Sequence, residues 1–165
     1  MARTLGSASP NQVTVSGRRV LIGWLSGATA VQSLPRDLTI SKHGELLQAF
    51  VPELGVLRAS PTPLPPSGSP ANASLAAEII ADFALNLDQG FPQTPFGINL
   101  QVGDGGATGL LLDLPNEHIL IGDRAAPYIE DPDNPTHIHV HVFVDHGIIE
   151  VIVNNRTAAT IYDQP

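Results

Sequence analysis

The stretch that decides the fold is residues 137–162, HIHVHVFVDHGIIEVIVNNRTAATIY. Every second position from Ile138 to Val144 is aliphatic, which is the period of a β-strand with one buried face. Residues 145–147 have turn chemistry, and residues 148–153 are rich in β-branched side chains. A second turn at 154–156 leads into another strand-like run. The stretch therefore predicts a three-stranded antiparallel meander.

The rest of the chain is also strand-rich, with turn signals every ~8 to 12 residues. A segment at 59–71 carries five prolines and predicts a surface loop. Residues 75–87 fit either an amphipathic helix or a strand, and residues 52–57 fit one helical turn. The other predicted strands are 13–15, 19–25, 36–41, 46–50, 96–102, 109–114 and 117–122. This pattern indicates an all-β fold, an antiparallel sandwich of two sheets.

Composition narrows the possible functions. The chain has 165 residues, of which 42% are hydrophobic and 15% charged, which suits one globular domain with a substantial core. Its formal net charge is −8 and it has no basic cluster, so we expect no nucleic-acid partner. It has no cysteine, which excludes disulfides and thiolate ligands. We expect no membrane partner, because no apolar run approaches ~18 residues, and the sequence carries no recognisable export signal, so the localisation stays open.

Two separated motifs resemble the C-terminal β-sandwich module of glycoside hydrolase family 32, which includes invertases, inulinases and fructosyltransferases. The first motif comprises Val144, Asp145, Ile148, Ile149, Glu150, Val151, Val153 and Asn154. The second comprises Arg19, Gly23, Trp24, Gln32, Ser33, Leu34, Pro35, Arg36, Leu38, Thr39, Gly44, Leu46, Leu47, Pro52, Glu53, Leu54, Leu57 and Arg58. Together they lie near both ends of the chain, and the resemblance favours a strand over 75–87.

The resemblance implies a jelly-roll or lectin-like sandwich over residues 31–165. Residues 1–30 would be a tail and a remnant of the last strands of the family's catalytic five-bladed propeller. The family's catalytic motifs, Trp-Met-Asn-Asp-Pro-Asn-Gly, Arg-Asp-Pro and Glu-Cys, are absent from this sequence. The resemblance therefore implies no catalytic residue here. Motif positions with an expected structural role are Trp24, Gln32, Pro35, Arg36, Asp145, Glu150 and Asn154.

The expected function is that of a non-catalytic module, structural or oligomerising, of a β-fructofuranosidase-like enzyme. Such an enzyme hydrolyses or transfers β-fructofuranosyl units of sucrose or fructans with retention. The resemblance implies no cofactor. The expected partners are a missing or separate catalytic propeller and, through the surface that this propeller would cover, further copies of the chain. A stand-alone fructan-binding module is the first alternative, with Tyr128, Phe91 and Tyr162 as the aromatic rings that could contact sugar.

A metal-dependent activity is the second alternative. His137, His139 and His141 share one strand face, and neighbours two residues apart lie ~6.6 Å apart along the strand, close enough to share a zinc ion. A solvated strand face explains the same pattern, and a further ligand such as Asp123 or Glu130 would have to come from elsewhere. Weaker hypotheses are an acid–base set at Asp145, His146 and Glu150, a phosphate loop at 103–106, a calcium site at 131–135, and glycosylation at Asn72 or Asn155.

Overall fold

The computed structural model describes residues 13–15, 17–25, 31–64, 76–101 and 107–162. The strands are β1 (Val13–Val15), β2 (Arg18–Leu21), β3 (Trp24–Leu25), β4 (Val31–Gln32), β5 (Arg36–Ile40), β6 (Leu46–Phe50), β7 (Ala76–Ala84), β8 (Phe96–Gln101), β9 (Ala107–Asp113), β10 (His118–Ile121), β11 (Arg124–Pro127), β12 (His137–Asp145), β13 (Ile148–Val153) and β14 (Thr157–Tyr162). Short 3-10 helices span Pro52–Leu57, Leu87–Gln89 and Leu114–Asn116. None of the helices in these ranges is long and apolar enough to cross a membrane.

The chain divides into two compact units, Met1–Val56 and Leu57–Pro165. The first unit contains an antiparallel sheet in the order β1-β2-β5-β6 and the short pair β3-β4. The Arg18 guanidinium donates hydrogen bonds to the carboxylates of Asp37 and Glu53, so one cation holds β2 against β5 and the 3-10 helix. The Ser33 hydroxyl accepts a hydrogen bond from the Gly23 N–H at 2.8 Å, and the Ser33 N–H donates to the Gly23 carbonyl, which fixes the segment around β3 and β4.

The second unit is a sandwich of two four-stranded antiparallel sheets. One, the histidine sheet, has the order β14-β13-β12-β7. The other, the meander sheet, has the order β11-β10-β9-β8. The meander sheet runs in sequence order, whereas in the histidine sheet three consecutive strands are flanked by β7, which lies beside the first of them. The structure thus confirms the broader prediction, an all-β antiparallel sandwich of two sheets.

The core of the sandwich comes from alternate positions of both sheets. A side chain that turns inward is almost fully buried, and burying each one contributes about 1.5 to 3 kcal/mol before the cost of ordering the chain. The histidine sheet contributes Ile138, Val140, Val142, Val144, Ile149, Val151, Val153 and Ile161, and the meander sheet contributes Leu100, Leu110, Leu112, Ile119 and Ile121. The alternation of aliphatic residues with other residues in 137–145 therefore accounts for the part of the core that β12 contributes.

Two tight turns set the register of the last three strands. His146 (φ 46°) and Gly147 (φ 91°) form the two-residue loop between β12 and β13, where Asp145 pairs with Ile148. Positive φ at both positions is the geometry that matches the twist of a hairpin. Asn154 and Asn155 have φ values of 52° and 55° in the turn between β13 and β14. The predicted three-stranded meander is confirmed.

The structure also corrects several predicted elements. Residues 75–87 contain strand β7, as the family resemblance favoured, and residues 52–57 form the predicted helical turn. A single strand over 19–25 is wrong, because β2 pairs with β5 whereas β3 pairs with β4. Strand β11 has no counterpart among the predicted strands. Gly122, at φ 59°, lies in the turn that reverses the chain after β10, and the reversed segment pairs with β10 as strand β11.

The predicted domain boundary between residues 30 and 31 stays a prediction. Strand β2 before that boundary and strand β5 after it belong to one sheet, so the compact units divide at a different place. Some predictions lie outside the described residues. These are the tail at 1–12, the linker at 26–30, the end of the proline-rich loop, the Asn72 sequon and the turn at 103–106.

Candidate functional site

The main cluster of polar side chains in the second unit lies on the outward-facing side of β7 and β12. We call this surface the histidine face. It is defined by the polar residues Glu78, Asp82, His137, His139 and His141 and by two apolar residues on the same side, Ile80 and Phe143. Strand alternation turns the valines of β12 into the core and leaves its histidines on the opposite side. The antiparallel register places His139 opposite Asp82 and His141 opposite Ile80.

Two histidines of this face each bind a carboxylate of the neighbouring strand. Nδ1 of His139 lies 2.7 Å from Oδ1 of Asp82, and both side chains are well exposed. Nε2 of His141 lies 2.7 Å from Oε1 of Glu78, and here the side chains are only 17% and 15% exposed. Because an ionised carboxylate can only accept, each imidazole donates through the nitrogen that faces its partner.

Arg58 completes a three-residue network with Glu78 and His141. Its Nε and Nη2 atoms donate to the two oxygens of Glu78, each at 2.6 Å, in the bidentate geometry that suits a guanidinium. The hydrogen bonds from Arg58 lower the pKa of Glu78, and His141 adds to the effect. Burial lowers the pKa of His141, while the Glu78 carboxylate opposes that shift. Near neutral pH the network therefore consists of a cation, an anion and a neutral imidazole.

This network predicts a dependence of stability on acidic pH. The folded-state pKa of Glu78 is lower than its ordinary value of 4.5, so the stability that it contributes is present above about pH 4.5 and is lost as pH falls through the folded-state pKa. We expect Glu78→Gln to remove up to about 1 kcal/mol of this pH-dependent stability, because Arg58 is half exposed and water screens the pair. Urea unfolding at pH 7 and at steps below pH 4.5 measures it. Glu130→Gln, at an exposed position, is the control. If the free energy of unfolding fell equally with pH below 4.5 in wild type and in Glu78→Gln, the prediction would be contradicted.

Four motif residues of the first unit lie around its short strands and turns. Trp24 is half exposed on β3 and pairs with Gln32 of β4. The Pro35 carbonyl accepts a hydrogen bond from the Val51 N–H at 3.2 Å. Arg36 is buried, with its guanidinium carbon 5.9 Å from the centre of the Phe50 ring. The structural role expected of these four residues stays a prediction.

The motif residues of the second unit lie on the terminal meander. Asp145 ends β12, is exposed, and is hydrogen-bonded to His146. Glu150 is only 2% exposed, although alternation turns it away from the sandwich core, and it accepts a hydrogen bond from the Thr160 hydroxyl. A carboxylate so buried carries a large desolvation cost unless it is hydrogen-bonded. Of the predicted acid–base set, then, one member is buried and two are exposed at a turn.

Asn154 connects three segments of the second unit. Its Oδ1 atom accepts from the His139 N–H at 2.9 Å, and its Nδ2 atom donates to the Ile129 carbonyl at 3.1 Å. Two residues close to Asn154 in the sequence also bind the segment around and after β11. Arg156 forms an ion pair with Asp131 at 3.1 Å, and the Thr157 hydroxyl donates to the Pro127 carbonyl at 2.7 Å. The turn after β13 thereby holds the segment that follows β11.

The three aromatic residues proposed for sugar binding come from different segments. Phe91 follows the helix Leu87–Gln89 and is 47% exposed. Tyr128 follows β11 and packs against the sandwich core, and burial raises the pKa of its hydroxyl. Tyr162 ends β14 and is half-buried. Phe91 is the ring of the three that offers the most open surface.

Sequence reasoning missed Glu78 and Asp82 as partners of the histidines, and Arg58 as the partner of Glu78. A signal existed, because Glu78 and Asp82 are four residues apart and so share one face of a strand. Which strand they face was not visible, since 57 residues separate Asp82 from His139. Within the ranges given above, no three His, Asp or Glu side chains are grouped so that they could hold one metal ion.

Comparison with solved structures shows what this architecture is similar to. A sucrose-6-phosphate hydrolase from Lactobacillus gasseri matches with a TM-score of 0.64 and 19% identity, over 90% of this chain and 34% of that chain. A glycoside hydrolase family 32 structure from Bifidobacterium adolescentis matches with a TM-score of 0.50 and 20% identity, over 90% of this chain and 26% of that chain. The chain has the fold of one part of these family 32 enzymes.

The family 32 resemblance predicted from the two motifs is thus confirmed at the level of the fold. The chain spans about a third of the first hydrolase and about a quarter of the second. Neither a protein-family model nor a curated protein matches the sequence. The likeness to family 32 that these comparisons show is therefore one of fold.

Proposed function

We propose that this chain acts as the non-catalytic sandwich module of a family 32 β-fructosidase and stabilises a catalytic module. The observation that carries the proposal is the partial coverage. Nearly all of this chain matches one part of a sucrose-6-phosphate hydrolase, and about two thirds of that hydrolase has no counterpart here. The catalytic motifs of the family are absent from the sequence. Catalysis is accordingly assigned to the other module.

The contacts of the motif residues support a structural role. Arg36 and Glu150 are buried, and the side chain of Asn154 forms hydrogen bonds with backbone groups of two other segments. A catalytic carboxylate pair would instead need two acids about 5 Å apart beside a substrate pocket. Contact with a catalytic module and self-association stay predictions, which the exposed apolar side chains of Trp24 and Ile40 support.

An activity assay tests the non-catalytic assignment. We expect the purified chain to release no fructose from sucrose, sucrose 6-phosphate or inulin above a protein-free blank, because the sequence has none of the family's three catalytic motifs. The Lactobacillus gasseri enzyme, assayed in parallel, is the positive control. Hydrolysis that co-purifies with the chain and is lost in Glu150→Gln or Asp145→Asn would overturn the assignment.

The native transcript upstream of the Met1 codon tests the relation to a catalytic module. We expect either an open frame that continues into propeller motifs or a separate gene that encodes them. An open frame that continues into propeller motifs would exclude a module that works alone, and a separate gene would argue against one. If both are absent, titration with fructo-oligosaccharides becomes decisive, and saturable binding lost in Phe91→Ala would establish a sugar-binding module in place of a structural one.

A further inference from the structure

The carboxylate of Asp82 prepares His139 for a ligand. Asp82 accepts the Nδ1–H of His139, so the neutral imidazole carries its proton on Nδ1 and its lone pair on Nε2. An imidazole that donates its other N–H to a carboxylate is the usual arrangement of a histidine metal ligand, because the acceptor fixes the tautomer and raises ligand basicity. Among the described residues, Nε2 of His139 has no hydrogen-bond partner.

His137 presents a second nitrogen on the same side of β12. Its Nδ1 atom lies 3.1 Å from the Thr136 hydroxyl, which leaves Nε2 as the nitrogen that this contact does not use. His137 is exposed, and it lies two residues before His139 at a separation of ~6.6 Å along the strand. Zinc–nitrogen bonds require each Nε2 atom to lie at ~2.0–2.1 Å from the ion. Because Asp82 holds His139 in place, rotation of the exposed His137 side chain has to bring its Nε2 atom to the ion.

His141 differs from its two neighbours on the strand. Its Nε2 atom is bound to Glu78, which the Arg58 guanidinium also holds, and its side chain is largely buried. Using it as a ligand would break an existing charged network. The three histidines of the strand therefore separate into an exposed pair and one structural residue.

We propose that His137 and His139 bind one divalent transition-metal ion of the Zn²⁺, Ni²⁺ or Cu²⁺ class through Nε2, with Asp82 as the positioning residue. Imidazole is a preferred ligand of these ions. Because the site has two protein ligands, water fills the other coordination positions and the ion exchanges readily. This assignment is independent of the module's role in a family 32 enzyme.

Calorimetric titration of the full chain with ZnCl₂ and NiCl₂ tests the site. We expect one ion per chain, with saturation below about 1 mM. His137→Gln and His139→Gln should each weaken binding by about tenfold or more, and Asp82→Ala by about tenfold. Asp82→Asn, which keeps an oxygen acceptor, should lose less. His118→Gln, which removes an exposed histidine of the meander sheet, is the matched control and should bind like wild type.

Long-range ¹H–¹⁵N spectra separate positioning from mere structural support. In the wild type we expect His139 to carry its proton on Nδ1, and Asp82→Ala should increase the Nε2–H form while leaving the rest of the spectrum unchanged. Addition of Zn²⁺ should shift Nε2 of His137 and His139 but not the imidazole of His141. Absence of saturable binding, or equal losses in His118→Gln and His139→Gln, would overturn the proposal.

Discussion

Replacing Gly97 with alanine should lower the free energy of unfolding by about 3 kcal/mol or more. A Cβ atom at this position would lie 2.0 Å from the carbonyl oxygen of Leu110 and 3.0 Å from its carbonyl carbon. Both atoms belong to the backbone of β9, which pairs with β8 on one side and β10 on the other. Since backbone in the middle of a sheet cannot move aside as a flexible side chain can, the β8–β9 pairing has to shift.

Gly109→Ala is the matched control, because Gly109 lies on the paired strand. Its added Cβ would meet Leu111 Cγ at 3.5 Å and Asn99 Oδ1 at 3.6 Å, which are ordinary van der Waals contacts. We expect a change within about 1 kcal/mol. Equilibrium urea unfolding of both variants, followed by circular dichroism, measures the difference. Equal losses in the two variants would show that the close approach at Gly97 is not what the sheet depends on.

Asn154→Ala should cost about 2 to 4 kcal/mol. The substitution removes the acceptor of the His139 N–H and the donor to the Ile129 carbonyl at a site that is 5% exposed. It also puts alanine at a φ of 52°, a conformation that asparagine tolerates better. A buried backbone N–H without a partner is the largest part of the expected loss.

Asn155→Ala separates the hydrogen bonds from the backbone conformation. Asn155 has nearly the same φ, 55°, but its side chain is exposed, so we expect only about 1 kcal/mol from its replacement. Asn154→Asp, which keeps Oδ1 and loses the Nδ2 donor, should fall between the two. Thermal unfolding at one protein concentration and pH 7 ranks the three variants. A cost for Asn155→Ala that matches Asn154→Ala would assign the effect to the turn and not to the side chain.

The local part of this fold could be predicted from the sequence. The terminal meander follows from period-2 alternation and from turn residues that accept positive φ, and these determine strand type and register over a few residues. Strand β11 could not be predicted in this way. Its sequence, Arg-Ala-Ala-Pro, has little β-propensity, and its position depends on pairing with β10 and on the Thr157 hydroxyl that binds the Pro127 carbonyl.

The candidate site, too, could be predicted from the sequence only in part. The alternation placed His137, His139 and His141 on one face, but it could not distinguish His141, which is bound by Glu78, from the two exposed histidines. That distinction depends on β7 lying beside β12, whereas neighbouring strands in sequence more commonly pair with each other. The roles of Glu78, Asp82 and Arg58 therefore needed the tertiary structure.

The pairing of β7 with β12 also has a consequence for the order of folding. Closing the loop between Asp82 and His139 costs more chain entropy than closing the tight turns of either meander. Long-range pairings slow folding for this reason, so we expect the two meanders to form early and β7 to dock late. The carboxylates that face the histidines thus arrive with the last strand, and amide protons of β7 should exchange with solvent sooner than those of β13.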